Sequence, residues 1–261
     1  MKKIFRITFL CIVLACACLL ASCKTPTLKY EDDGGFRNPQ TDVSYYSTSP
    51  NYFARPAEGD PYAKIKVDGS DVDILLYEIA GVDPERYLVS NDYRVYAAKG
   101  AALPTLYDLP CVRVGIYDTQ VSSNDGNITD AEEILALKEL QKSGTFVSQN
   151  IIGLDIQYNS KNWYDLHFMG DGDYKGVYYQ LKYGVFNTDV IVVDFLQRDA
   201  NGEIVDMYPG VPYEICQEEY NGKMYDAIRY NFGREILCDT ATGNCYRIEN
   251  SLLSYVTPES E

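Results

Sequence analysis

Residues 163–185 read WYDLHFMGDGDYKGVYYQLKYGV, two alternating runs around a centre of glycine and aspartate. In the first run Trp163, Asp165 and His167 share one side, and Tyr164, Leu166 and Phe168 the other. That period of two marks a strand with one buried face. Trp163–Met169 and Val177–Val185 are therefore expected to pair across Gly170-Asp171-Gly172-Asp173, and the same grammar extends in both directions along the chain.

Toward the C-terminus, Val190–Leu196 and Glu203–Met207 flank Asp199-Ala200-Asn201-Gly202, and a further hairpin is expected around Asn221-Gly222. Toward the N-terminus, Tyr62–Val67 and Val72–Ile79 enclose Asp68-Gly69-Ser70, and strands are expected at Tyr93–Ala98 and Val112–Tyr117. Asp83 reads as an N-cap with Pro84 in the first helical position, predicting a short helix to about Val89. One longer helix is expected over about residues 130–142, where Ile134, Leu137 and Gln141, with Leu135 and Leu140 beside them, recur at helical spacing before Gly144. Strands joined by short turns pair antiparallel. The expected class is α+β, a largely antiparallel sheet built from hairpins with one main helix packed on it, forming a single domain over residues 61–257.

Composition agrees with strands. The 261-residue chain holds 24 Tyr and 9 Phe, side chains that cover a pleated face while a phenol reaches water. Sugar-binding aromatic platforms are the sharper alternative use of such rings. The formal net charge is −15. Nucleic acid is excluded as a partner by this balance, because phosphate backbones are bound through clustered Lys and Arg.

The first 22 residues have a separate character. Lys2, Lys3 and Arg6 precede an almost wholly apolar run from Ile7 to Leu20, and Leu20-Ala21-Ser22-Cys23 follows. The run is short for a bilayer-spanning helix, which needs about 20 apolar residues, and its small-residue ending suits cleavage. Those four residues resemble the lipobox of bacterial lipoproteins. The resemblance covers the export segment only, and it implies a signal peptide over residues 1–22 and a diacylglycerol on the Cys23 thiol. It further implies a chain held by lipid on the extracytoplasmic side of a membrane in the cell envelope. Cleavage would leave 38 acidic against 20 basic side chains, since the removed segment carries three of the 23 basic residues and no acid. From Lys24 to about Pro61, five prolines lie among Gly, Ser, Thr, Asp and Asn. Residues 23–60 accordingly read as the lipidated cysteine and a flexible tether spanning on the order of 30 to 40 Å, with the aromatic pairs Tyr45-Tyr46 and Tyr52-Phe53 docking onto the domain.

Four cysteines remain beyond Cys23, an even number that suggests disulfides in an exported chain. Cys238 and Cys245 flank Asp239-Thr240-Ala241-Thr242-Gly243-Asn244, a turn in which Gly243 can adopt the left-handed conformation, so the two are expected to face each other across a hairpin. Cys111 and Cys216 follow as a second candidate pair by elimination, with free buried thiols as the alternative.

Asn124-Asp125-Gly126-Asn127-Ile128-Thr129-Asp130-Ala131-Glu132 resembles the second half of an EF-hand calcium loop. The resemblance implies Gly126 at the bend and Asp125, Asn127 and Glu132 as ligands, with Asp118 joining them only if the loop carries a two-residue insertion, making calcium the one candidate cofactor. The template is broken in front, however: Val121 stands where the first aspartate belongs. A Thr129–Glu132 capping box explains the same residues without a metal.

His167 is the only histidine, so it would have to be the base of any Ser or Cys hydrolase, yet no Gly-x-Ser-x-Gly elbow accompanies it. Its position on a strand beside Asp165 predicts a surface residue. The favoured function is a lipid-anchored, non-catalytic binding or interaction module for a protein or glycan ligand. The alternative is a secreted hydrolase of envelope polymers or glycans using a carboxylate pair. A transporter's solute-binding component is disfavoured, because strands and helices do not alternate.

Overall fold

The structure, a computed structural model, describes residues 25–67, 69–119, 124–140, 151–154, 160–248 and 250–256. The expected class holds: among these residues one α-helix, α1 (Ala131–Glu139), accompanies a largely antiparallel β-system.

The N-terminal part closes on itself. Strands β1 (Thr27–Tyr30), β2 (Phe36–Arg37), β3 (Ser44–Ser47), β5 (Ala63–Ile65), β6 (Ile74–Tyr77), β7 (Tyr87–Ser90) and β8 (Val95–Ala98) form a barrel in the order β1-β2-β3-β8-β7-β6-β5. Closure comes from β1 lying parallel to β5, with Leu28 opposite Ile65. The barrel is filled by Leu28, Tyr45, Ala63, Ile65, Leu76, Leu88, Tyr96 and Ala98. The stretch expected as a tether is thus corrected: four strands lie between residues 27 and 54, and the expected boundary at residue 60 falls inside the fold. Its prolines and glycines shape the turns of a small barrel rather than a coil.

β4 (Tyr52–Ala54) leaves the barrel and pairs with β13 (Val177–Phe186), matching Ala54 to Val177 and Tyr52 to Tyr179. It belongs to a seven-stranded sheet whose main order is β10 (Asn124–Ile128), β9 (Cys111–Asp118), β12 (Ser160–Gly170), β13, β17 (Glu235–Asp239) and β18 (Asn244–Arg247). The hairpin read from residues 163–185 is its centre, nine matched pairs from Ser160↔Phe186 to Met169↔Tyr178. Tyr164, Leu166 and Phe168 join Tyr179, Leu181 and Tyr183 in the main core, which α1 covers with Ile134 and Leu137. Tyr87, Val89, Val95 and Ala97 of the barrel enter that same core.

A third sheet has the order β11 (Ile151–Leu154), β14 (Ile191–Phe195), β16 (Lys223–Asn231) and β15 (Tyr213–Tyr220). Phe186, Val192, Ile228, Tyr230 and Ile236 pack between it and one end of β13 and β17.

Three local expectations are corrected. Residues 83–86 make one turn, with Asp83 accepting from the Glu85 amide at 2.9 Å, and Tyr87 already starts a strand. Two-sided burial of Tyr87–Ser90 outweighs the capping signal. Glu203–Met207 is not a strand; β14 pairs with β11 and β16 instead, and only an isolated Arg198↔Ile204 bridge remains. The helix is capped by Asp130, not Thr129: Asp130 Oδ1 accepts from the amides of Glu132 and Glu133, each at 3.0 Å. A carboxylate one residue nearer the first turn satisfies two otherwise orphaned donors. The expected stop at Gly144 lies outside the described residues.

A chain beginning at Glu58 would lack β1–β4, opening the barrel and baring one edge of β13. We expect such a chain to lose its cooperative thermal transition in near-ultraviolet circular dichroism. An unchanged melting temperature would show that residues 27–54 are dispensable after all.

Candidate functional site

Where the barrel meets the seven-stranded sheet, a cleft of about 600 Å³ opens. It lies in the size range of small-molecule sites, which favour such junctions. Its walls come from the end of β3 and the residues after it (Tyr46–Ser49, Tyr52), β8 and its following loop (Ala97–Gly100 and Ala102–Leu106), Tyr179 of β13, and Asp239 and Thr242 at the end of β17 and in its turn. Local sequence makes the hollow. Ala97, Ala98, Gly100 and Ala102 leave space where larger side chains would fill it, and Gly100 sits at φ +87°, a conformation that favours glycine.

The chemistry of the walls is mixed. Tyr52 and Tyr179 meet edge to face at 5.0 Å, and Leu103, Pro104 and Leu106 add apolar surface. Ser47, Thr48, Ser49, Thr105 and Thr242 contribute hydroxyls. At the mouth Tyr46 donates to Asp33 Oδ2 at 2.6 Å and Lys99 Nζ lies 3.3 Å from the same oxygen, so the lysine's charge is matched.

At the inner wall Asp239 is buried, with no cation paired to it among the described residues. Its Oδ2 accepts from Tyr179 Oη at 3.0 Å, and its Oδ1 accepts from Asn51 Nδ2 and from the amides of Ala241 (2.9 Å) and Thr242 (3.2 Å). Asn51 Nδ2 also donates to Tyr179 Oη at 3.0 Å, while Thr240 Oγ1 donates to Asn51 Oδ1 at 3.0 Å. This network fixes the turn of one hairpin to a segment 188 residues earlier. The Cys238–Cys245 disulfide closes the same hairpin, as expected, with Cα atoms 4.2 Å apart and Gly243 at φ +74°.

Other expected site residues do not converge. Cys111 and Cys216 are free thiols, which corrects the second pairing: Cys111 begins β9 of the central sheet and Cys216 lies in β15 of the other, each bonded locally. The presumed calcium loop is strand: Asp118 ends β9, Asp125 is the extra residue of a bulge in β10, Asn127 pairs with Gly115, and Glu132 lies in the first turn of α1. Residues 120–123 lie outside the described residues, as does Cys23. Gly126 serves close approach, not a bend: a Cβ there would sit 1.7 Å from the Tyr255 carbonyl oxygen. Among the described residues no cluster of three or more His, Cys, Asp or Glu is placed to hold a metal ion. Asp173, in the glycine–aspartate tip, pairs with Arg86 at 3.1 Å.

His167 is not a freely exposed surface residue. Its ring stands between Tyr178 (4.2 Å) and Tyr117 (4.4 Å); Phe53 stacks on Tyr178 at 5.8 Å, and Arg94 covers Phe53 at 4.6 Å. This ladder crosses four neighbouring strands on the sheet's outer face. Gly115 makes room for it, since a Cβ there would lie 2.7 Å from the Tyr117 ring. The rings cover one another's faces, so they are not a sugar-stacking platform. His167 Nε2 is buried without a hydrogen-bond partner among the described residues.

No known family, characterised protein or solved structure matches the chain significantly.

Burial lowers the His167 pKa from 6.5 to about 4; Asp165 opposes this, while Arg55 and Lys182 add to it. The folded state therefore holds fewer protons than the unfolded state between these values. Stability from this group is complete above pH 6.5 and is lost as pH falls toward 4, by up to about 3 kcal/mol. His167→Phe should flatten that part of the pH–melting profile, and an unchanged slope would contradict the assignment. Asp239→Ala should lower stability by roughly 3 kcal/mol in urea denaturation, because two amides and Asn51 lose their acceptor in a buried site; a change below about 0.5 kcal/mol, the scale of surface substitutions, would remove the network from its structural role.

Proposed function

We propose that this chain is a lipid-anchored, extracytoplasmic binding module that takes a small neutral saccharide into the cleft between barrel and sheet. The observation that carries the reading is the character of the cleft. Tyrosine edges and apolar surface alternate with hydroxyls, and its charged groups, Lys99 and Asp239, are already engaged. A hydroxylated ligand with apolar ring faces suits such walls. Hydrolysis of a glycan would call for two carboxylates flanking the scissile bond. Asp239 is the only carboxylate among the described lining residues, and its oxygens are occupied by amide and phenol donors. Binding without catalysis is the better fit.

The anchor belongs to the same reading. A lipid on Cys23 would leave three residues before β1 begins at Thr27, and the four Cα-to-Cα steps from 23 to 27 can reach roughly 14 Å at most. The barrel would then stand against the bilayer rather than at the end of a long tether. Two acyl chains suffice for durable attachment, at about 0.8 kcal/mol per buried methylene.

Two experiments test the halves separately. Cys23→Ser should move the protein from the membrane to the soluble fraction of cells, and continued sedimentation with membranes would contradict the lipid anchor. Calorimetric titration of the soluble domain with neutral mono- and disaccharides should show saturable binding that Ala102→Trp abolishes by filling the mouth of the cleft. Absence of heat with every sugar, or binding indifferent to the tryptophan, would overturn the cleft as the site.

A further inference from the structure

The second feature built for contact is the β15–β16 hairpin. Strand β15 ends the third sheet, with β16 on one side and no partner on the other among the described residues. It is eight residues long, and six of them are exposed. Among the described residues, four of the twelve exposed large hydrophobic side chains lie on this one hairpin: Tyr213, Ile215, Tyr220 and Met224. Long edge strands with exposed apolar side chains recruit further strands.

The register shows what the edge offers. The two-residue turn Asn221-Gly222, both at positive φ (52° and 74°), closes on the pair Tyr220↔Lys223. In such a hairpin the closing pair exchanges both backbone hydrogen bonds, and bonded and non-bonded pairs then alternate. Glu214, Cys216, Glu218 and Tyr220 accordingly direct their amides and carbonyls to β16. Tyr213, Ile215, Gln217 and Glu219 direct theirs outward, to the open edge. The side chains of those four lie on the face that carries Tyr213 and Ile215, and the opposite face carries Glu214 and Glu218.

Charge selects the occupant. β15 contains three glutamates and no Lys or Arg. Arg229 of β16 reaches toward both Glu214 and Glu218, so these two carboxylates share one guanidinium. A second copy of the chain would set one acidic strand against another, in a molecule with 38 acidic and 23 basic residues. We propose that β15 receives an extended segment of a basic partner protein as an added antiparallel strand, apolar residues beside Tyr213 and Ile215 and basic residues beside Glu214 and Glu218. The proposal is independent of the lipid anchor and of the cleft.

The probe is a capped heptapeptide alternating valine and lysine, Val at both ends, labelled for fluorescence polarisation against the soluble domain. In antiparallel register its valine amides meet the edge and its lysine amides face solvent. The unmethylated peptide should bind saturably. N-methylation of its two internal valines should weaken binding at least tenfold, whereas N-methylation of its lysines should leave it nearly unchanged. Glu218→Lys should weaken binding in parallel, and Ala102→Trp should not affect it. No binding by the unmethylated peptide would overturn the proposal. So would equal binding by both methylated forms, the mark of charge attraction alone, or displacement of the peptide by self-association of the domain.

Discussion

Strands β7 and β8 are buried at every residue from Tyr87 to Ser90 and from Val95 to Ala98, and the rest of the structure depends on this. Along each strand the pleat sends alternate side chains to opposite sides. Leu88, Tyr96 and Ala98 fill the barrel, while Tyr87, Val89, Val95 and Ala97 fill the core beneath the central sheet. One hairpin thereby serves as a wall of two cores. At about 25 cal/mol for each Å² of apolar surface removed from water, side chains of this size contribute roughly 1.5 to 3 kcal/mol apiece when buried. Neither core can lose the hairpin and remain closed. β4 reinforces the join by leaving the barrel to extend the sheet beside β13.

The cleft follows from that join. Barrel and sheet meet along β7, β8 and β4, and the cleft opens where β8 runs into its glycine- and alanine-rich loop. Asp239, Asn51 and Tyr179 tie the far side of the seam with hydrogen bonds in place of apolar packing. On the sheet's outer face the stacked rings from Phe53 to Tyr117 fill the place a second layer would take. The abundant tyrosine is thus largely structural: inner rings such as Tyr164 and Tyr183 make core, and outer rings shield the strands.

What could be read from residues alone was what neighbours in sequence decide. The 163–185 hairpin, the Asn221-Gly222 turn, the disulfide across Cys238 and Cys245 and the helix at Ile134 and Leu137 all depend on contacts a few residues apart. The barrel was not legible, because its closure pairs Leu28 with Ile65 and Tyr45 with Ala98, and short strands broken by proline leave little alternation. Gly126 was misread for a related reason: its neighbour in space, Tyr255, is remote in sequence. Of the cleft, the turn-forming aspartate at 239 carried a local signal. Its bonds to Asn51 and Tyr179 carried none.

Differential scanning calorimetry of residues 24–261 tests the shared hairpin most directly. Because β7 and β8 belong to both cores, barrel and sheet must unfold together, in one transition whose calorimetric and van't Hoff enthalpies agree. Two separable transitions, with the barrel melting while the central sheet stays folded, would contradict the account.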